Sequence, residues 1–182
     1  MNTTRLNQFN NDSFKTEASF MKKVLWYITN CIFFKSSLPG YWFKPILLRI
    51  YGAKAGNSIL IKPNVNIKYP WNLEIGDNVW IGENVWIDNL DKVKIGNNVC
   101  LSQGALLLCG NHDYKKSTFD LITGPIRIED GAWICAKATV TQNVTCQSHS
   151  ILGVNSLANK DLEAYTIYSG IPAKPIRRRI IE

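Results

Sequence analysis

Residues 75–101 read IGDNVWIGENVWIDNLDKVKIGNNVCL. An aliphatic side chain returns at Ile75, Ile81, Ile87, Ile95 and Leu101, every six residues but for one step of eight. This period is neither the two-residue alternation of a strand nor the roughly 3.6 of a helix. Outward from this stretch the same anchor recurs at Ala55, Ile61 and Ile67, and again at Leu107, Ile128, Ile134, Val140, Cys146, Leu152 and Ala158. Four places after the anchors stand further apolar or small residues: Ile59, Val65, Val79, Val85, Val99, Ala105, Ala132, Ala138, Val144, Ser150 and Ser156. One place earlier come Asn64, Asn78, Asn84, Asn98, Gly104, Gly131, Asn143 and Asn155, the residue types that tolerate positive φ.

Two inward side chains in six, with a tight corner between them, predict short flat strands and no helices. Such a chain stacks as a solenoid with turns about 4.8 Å apart. Three hexads make one triangular turn, and the anchors supply five turns. The intervals Ile67–Ile75 and Ile87–Ile95 are eight residues long, which predicts small bulges at two corners. Between Leu107 and Ile128 a loop of about 109–127, beginning CGNHDYKKSTFDLITGP, leaves the solenoid. Long loops in compact repeats carry function, so chemistry is expected there.

The remaining composition narrows the class. The chain has 182 residues, 46% hydrophobic and 19% charged, with 21 Lys and Arg against 14 Asp and Glu, for a net charge of +7. That is one folded domain with short appendages rather than a disordered chain. Cys31, Cys100, Cys109, Cys135 and Cys146 are odd in number and irregularly spaced, and there are 2 histidines, so a disulfide framework and a bound metal are not expected. The polar opening MNTTRLNQFNNDSF lacks the form of a secretion signal, and a cytoplasmic, reducing compartment is expected. The apolar run Val24–Phe34 is too short to span a bilayer. Phe20, Met21, Val24, Leu25, Ile28 and Ile32 recur at helical spacing beside Lys22, Lys23 and Lys35. The favoured reading is a helix packed on the main domain; the other is peripheral contact with the inner membrane face. Segment 39–52 predicts a turn, a short helix and a glycine stop.

The organisation expected is therefore 1–54 as a polar tail and helical segment, 55–163 as the repeat with its loop, and 164–182 as a closing tail. The hexads IGDNVW, IGENVW and IGNNVC, the His-bearing loop and the tail SGIPAKPIRR resemble the hexapeptide-repeat acyltransferases. Within them the chain is most similar to the maltose and galactoside acetyltransferases and to the exopolysaccharide branch related to colanic-acid biosynthesis. The resemblance implies an all-β fold, a left-handed parallel β-helix of hexapeptide repeats with an N-terminal helical segment and one extruded loop. It further implies acetyl-CoA as donor, a sugar or saccharide acceptor, and a homotrimer with each site between two subunits.

By the same resemblance, His112 in GNHD, five residues past Leu107, is the catalytic base. Histidine ordinarily titrates near neutral pH and suits proton removal from an acceptor hydroxyl. Asp113 either orients its ring or shapes a turn, and it is counted with the candidates for binding the acceptor. Asp88 and Asn89, at a bulged corner, are candidates for binding the acceptor, since a carboxylate accepts strongly from hydroxyls; a solvated corner is the alternative for Asp88. For the coenzyme the resemblance implies Trp133 along the pantetheine arm, the backbone of Ala136 and Val154 on its amides, and Asn159, Lys160, Lys174 and Arg177 near adenine and phosphates. Subunit packing at Trp133 and a solvated arginine tail are the competing readings. His149, at a corner place, is expected to be structural.

Other classes fit less well. A non-catalytic β-helix scaffold would show ladders of one residue type and no coenzyme tail. A metal hydratase on this fold needs three histidines. The positive charge is dispersed and forms no nucleic-acid reader, so no nucleic-acid partner is expected.

Overall fold

The computed structural model describes residues 3–12, 14–38 and 40–182; Pro39, within the expected turn, and Met1, Asn2 and Ser13, within the polar tail, lie outside the described residues. From Lys54 the chain winds through three parallel sheets in strict rotation. The first stacks Lys54–Ala55, Leu73–Ile75, Val93–Ile95, Ile126–Ile128 and Thr145–Cys146. The second stacks Leu60–Ile61, Trp80–Ile81, Cys100–Leu101, Trp133–Ile134, Ile151–Leu152 and Thr166–Gly170, and ends on Ala173–Arg178. The third stacks Asn66–Ile67, Trp86–Asp88, Leu106–Leu108, Thr139–Thr141 and Leu157–Ala158. Five triangular turns result, as the spacing of the anchors requires.

The anchors meet in one continuous interior. Ile61, Ile67, Ile81, Ile87, Leu101, Leu107, Ile128, Ile134, Val140, Cys146 and Leu152 are all fully buried. Each buried aliphatic side chain contributes about 1.5–3 kcal/mol. The corner places carry positive φ, between 53° and 61° at Asn64, Asn78, Asn84, Asn98, Asn143 and Asn155. His149 shares this conformation with φ 61° and stacks on Tyr165 at 4.6 Å, so its role is structural, as expected. One edge of the prism is also laced from turn to turn. Asp77 accepts from the amide of Asn57, Asn97 from that of Asp77, and Asp130 from that of Asn97.

A solenoid has two open ends, and unpaired strands there invite association. At the first end, helix α1 (Phe20–Thr29) is capped by Ser19, whose Oγ accepts from the Lys22 amide at 3.2 Å. It continues as a π-helical turn, Asn30–Phe34. Trp26 donates Nε1–H to the Ile67 carbonyl at 2.9 Å, and Asn30 bonds Asn66 at 2.8 Å. Helix α2 (Lys44–Ile50) ends before Gly52, at φ 99°, and sends the buried Lys44 ammonium to the Lys62 carbonyl at 3.1 Å. These helices thus satisfy carbonyls of the first turn, so the segment packs on the main domain. The packing face is Trp26, Asn30 and Phe34, whereas Phe20, Met21, Leu25, Ile28 and Ile32 remain exposed. At the other end Thr166–Gly170 and Ala173–Arg178 pair antiparallel and cover the last turn.

The extruded segment differs from an irregular loop. Gly110–His112 pairs antiparallel with Leu121–Thr123, His112 opposite Leu121, so it projects as a hairpin. Its limits are also narrower than about 109–127. Cys109 is fully buried in the wall, and Ile126 already pairs with Val93 in the first sheet.

Candidate active site

The third sheet positions the site. Asp88 lies opposite Leu108 on the neighbouring strand, and the Cys109 amide donates to the Asp88 carbonyl at 3.2 Å. Two residues further the hairpin begins, which places His112 and Asp88 on one open cleft of about 700 Å³. The cleft is also lined by Phe9, Phe14, Lys68 and Tyr69. A cleft of similar size on the first sheet has neither histidine nor cysteine in its walls.

His112 is held on three sides. Its Nδ1 lies 2.8 Å from the Phe119 carbonyl oxygen, its ring stacks on that of Phe119 at 4.4 Å and 8°, and Phe9 meets it edge-on at 5.7 Å. A carbonyl only accepts, so Nδ1 carries a proton, and in the neutral ring the lone pair is therefore on Nε2. Phe119 can present its carbonyl because its backbone is in the left-handed region, φ 53°, with its amide bonded to Lys116 at 3.1 Å. The tip is tied by Asp120, which accepts from Thr118 at 2.6 Å and from Lys116 at 2.9 Å. The Thr118 hydrogen bond, then the Lys116 ammonium, hold the Asp120 carboxyl below the usual range.

Asp88 is buried, and Lys68 Nζ lies 3.0 Å from its Oδ1. That contact is an ion pair by distance, but its angles do not make a hydrogen bond, so Oδ1 has no hydrogen-bond partner. Oδ1 is thus enclosed beside the Lys68 ammonium, while Asp88 as a residue contributes to the wall of the cleft.

Two expectations are corrected. Asn89 is fully buried, and its amide both accepts from and donates to the Tyr69 backbone. It clamps the bulged corner and does not reach the cleft. Asp113 does not line the cleft and does not orient His112; of its two other readings, the turn is the one found. Its amide donates to the Asp120 carbonyl and its carboxylate accepts from the Lys115 amide at 3.0 Å, so it shapes the hairpin turn. The Phe119 carbonyl takes the orienting place.

The sequence reading also missed the N-terminal tail. The Arg5 amide donates to the Ser117 carbonyl at 2.7 Å, which lays the tail along the hairpin and brings Phe9, Asn11, Phe14 and Thr16 to the cleft. The only signal was aromatic residues in an otherwise polar segment.

Of the residues expected at the coenzyme, Trp133, Lys174 and Arg177 fall on the second sheet and its closing hairpin, Ala136 and Val154 on the turns that follow its strands, and Asn159 and Lys160 after the last strand of the third sheet. Trp133, Ile151, Ile167 and Arg177 stand in register on four successive strands. Trp133 is 41% exposed, with Nε1–H donated to Ser102 at 2.8 Å. Together with Arg178, Arg179 and Ile180 the row lines a groove of about 390 Å³. An apolar strip ending in guanidinium groups fits a ligand with an extended arm and phosphates. Lys174 is exposed opposite Ser169 on the same hairpin. Val154, Asn159 and Lys160 are exposed beyond it, and the Ala136 carbonyl accepts from the Asn155 amide at 2.9 Å.

Comparison with known proteins shows the family. WcaF of Escherichia coli K12, named as an acetyltransferase of colanic acid biosynthesis, is 34% identical over 155 residues, covering 85% of each chain. The chain belongs to the hexapeptide-repeat acetyltransferases. A family member from Vibrio cholerae, solved with acetyl-coenzyme A, superposes with a TM-score of 0.70 at 27% identity, over 75% of this chain and 76% of that one. A galactoside acetyltransferase solved with coenzyme A shares the fold, with a TM-score of 0.78 at 22% identity over 90% and 84% of the two chains. No family model matches the chain.

Proposed function

We propose that this acetyltransferase moves an acetyl group from acetyl-CoA to a sugar hydroxyl in exopolysaccharide or lipopolysaccharide synthesis. The observation that carries the reading is the Phe119 carbonyl 2.8 Å from His112 Nδ1, which leaves Nε2 as a base in the cleft that also holds Asp88. Nε2 takes the hydroxyl proton as the oxygen bonds to the thioester carbonyl carbon. The C–S bond then breaks, and the imidazolium returns the proton to the departing thiolate, so charge and atoms balance. Asp88 holds the acceptor through a neighbouring hydroxyl. Trp133 and the backbone of Ala136 and Val154 line the pantetheine arm, and Asn159, Lys160, Lys174 and Arg177 meet adenine and phosphates.

The exposed Trp80, outside both the His112 cleft and the groove beside α1, supports burial in a homotrimer. Five free cysteines suit a cytoplasmic setting. Among the described residues no helix is long and apolar enough to cross a membrane.

Calorimetric titration with acetyl-CoA, followed by a screen of sugars for release of coenzyme thiol, tests the assignment. Saturable binding with acceptor-dependent thiol release supports it. Absence of binding in folded protein of known subunit count overturns it.

A further inference from the structure

The His112 cleft is continuous with a second, apolar groove. Lys23, Lys68 and Tyr69 line both. The groove encloses about 540 Å³ between α1 and the third sheet, with Phe20, Val24, Trp26, Trp71 and Trp86 among its walls. Its charged side chains are Lys23, Lys35 and Lys68, with no carboxylate. In the adjoining cleft Asp88 pairs with Lys68, while Lys23 has no ion-pair partner among the described residues. A sugar site, a cationic threshold and an apolar channel therefore follow one another.

Beyond the groove the apolar surface continues. Phe20 and Tyr27 are exposed at its rim, and Met21, Leu25, Ile28 and Ile32 form the neighbouring stripe of the same helical segment, each at least 48% exposed. Free sugars need no such channel, and a water-soluble nucleotide would leave it empty.

Resting on the acetyl-transfer reading above, we infer that the acceptor is amphiphilic, a saccharide joined through phosphate or diphosphate to a long apolar chain. The sugar occupies the His112 cleft. Lys23 and Lys68 meet the phosphate, where cations on a low-dielectric wall act strongly. The chain lies along Val24, Trp71 and Trp86 and leaves across the exposed stripe of α1, which rests on the membrane surface that holds such a lipid.

Farnesyl diphosphate, an apolar chain with the linking group and no sugar, is a direct probe, read by calorimetry on the full-length protein. Binding at least tenfold tighter than that of both inorganic diphosphate and farnesol is expected. Lys23→Ala with Lys68→Ala should weaken it tenfold or more, and Arg177→Ala should leave it unchanged. Val24→Asp, and separately Trp86→Ala should the first variant fold poorly, should bring farnesyl diphosphate down to the level of inorganic diphosphate. Equal binding of the three probes, equal binding of uridine diphosphate, or loss in Arg177→Ala overturns the inference. So does a changed subunit count in the groove variants by light scattering, since a second copy would then cover the groove. Acetyl-CoA titration of the same samples reads the transfer assignment separately, so prenyl binding without coenzyme binding sinks only the latter.

Discussion

The Phe119 carbonyl oxygen lies 2.8 Å from His112 Nδ1 while the two rings stack 4.4 Å apart, so one residue fixes both the tautomer and the plane of the other. The backbone part of this arrangement survives side-chain replacement at Phe119, which allows the two effects to be separated.

His112→Ala should lower turnover by about 10²- to 10⁴-fold, the usual worth of a positioned base, with acetyl-CoA affinity almost unchanged. Phe119→Ala keeps the carbonyl and loses only the stack, worth about 0.5–1.5 kcal/mol, so turnover should fall by roughly tenfold or less. Steady-state rates of thiol release compare them. Equal losses in the two variants would show that the ring contact, not the proton, matters.

For Asp88, a place in the wall of the His112 cleft predicts an effect confined to the acceptor. Asp88→Asn weakens the one charge-assisted hydrogen bond proposed to the acceptor, about 1.5–3 kcal/mol, so kcat/KM for the sugar should drop about 10- to 100-fold. KM for acetyl-CoA should not move. A parallel rise in KM for both the sugar and acetyl-CoA would place Asp88 in the frame of the site instead.

At the donor groove, Arg177→Ala combined with Lys174→Ala should weaken coenzyme binding, and the residual affinity should depend less steeply on salt than in the unaltered protein. Titrations at two ionic strengths check this. Identical isotherms would remove both side chains from the coenzyme site.

The fold predicts its own sensitive points. A methyl group at Gly76 would lie 2.8 Å from the Gly96 carbonyl carbon and oxygen on the next turn, where backbone cannot yield. Gly76→Ala should therefore cost about 1–3 kcal/mol in urea unfolding. Asn84→Gly, at a corner with φ 59°, should be nearly neutral by comparison. A neutral Gly76→Ala would mean that the turns are less tightly stacked than described.

The repeat was readable because each hexad states its own geometry. Ile81 and Val85 point inward and Asn84 turns the corner, with no need of distant information. His112 was readable for a related reason: it stands a fixed distance past the anchor Leu107. Phe9 and Phe14 were not, since the tail reaches the hairpin through the backbone bond from Arg5 to Ser117, which leaves no periodic trace. Asn89 was misjudged because its role depends on a clamp across twenty residues to Tyr69, visible only once the corner has closed. The same holds for the shared Lys23 and Lys68, whose meeting requires α1 to lie on the third sheet.

Alkaline pH offers a test of the interior itself. Burial pushes the Cys109 thiol up to about 12 and the Cys135 thiol up to about 11, and raises Cys146 as well. Unfolded thiols lose their protons near 9.0, so between pH 9 and 11 the folded chain holds more protons than the unfolded one. Stability contributed by these thiols is complete below pH 9 and falls as pH rises, by about 1.4 kcal/mol per unit for each. Lys44 acts in the other direction. Burial lowers its pKa, so the unfolded chain holds the extra proton below 10.5, and its contribution improves as pH rises through that window. Burial raises the Cys100 thiol too, and four thiols against one lysine give a net fall. The urea midpoint should thus drop between pH 8 and pH 10, and Cys109→Ala should flatten the slope while retaining most of the turnover, since a protonated buried thiol takes no part in transfer. A midpoint that rose with pH would show Lys44 to dominate, and loss of turnover in Cys109→Ala would bring that residue into the chemistry.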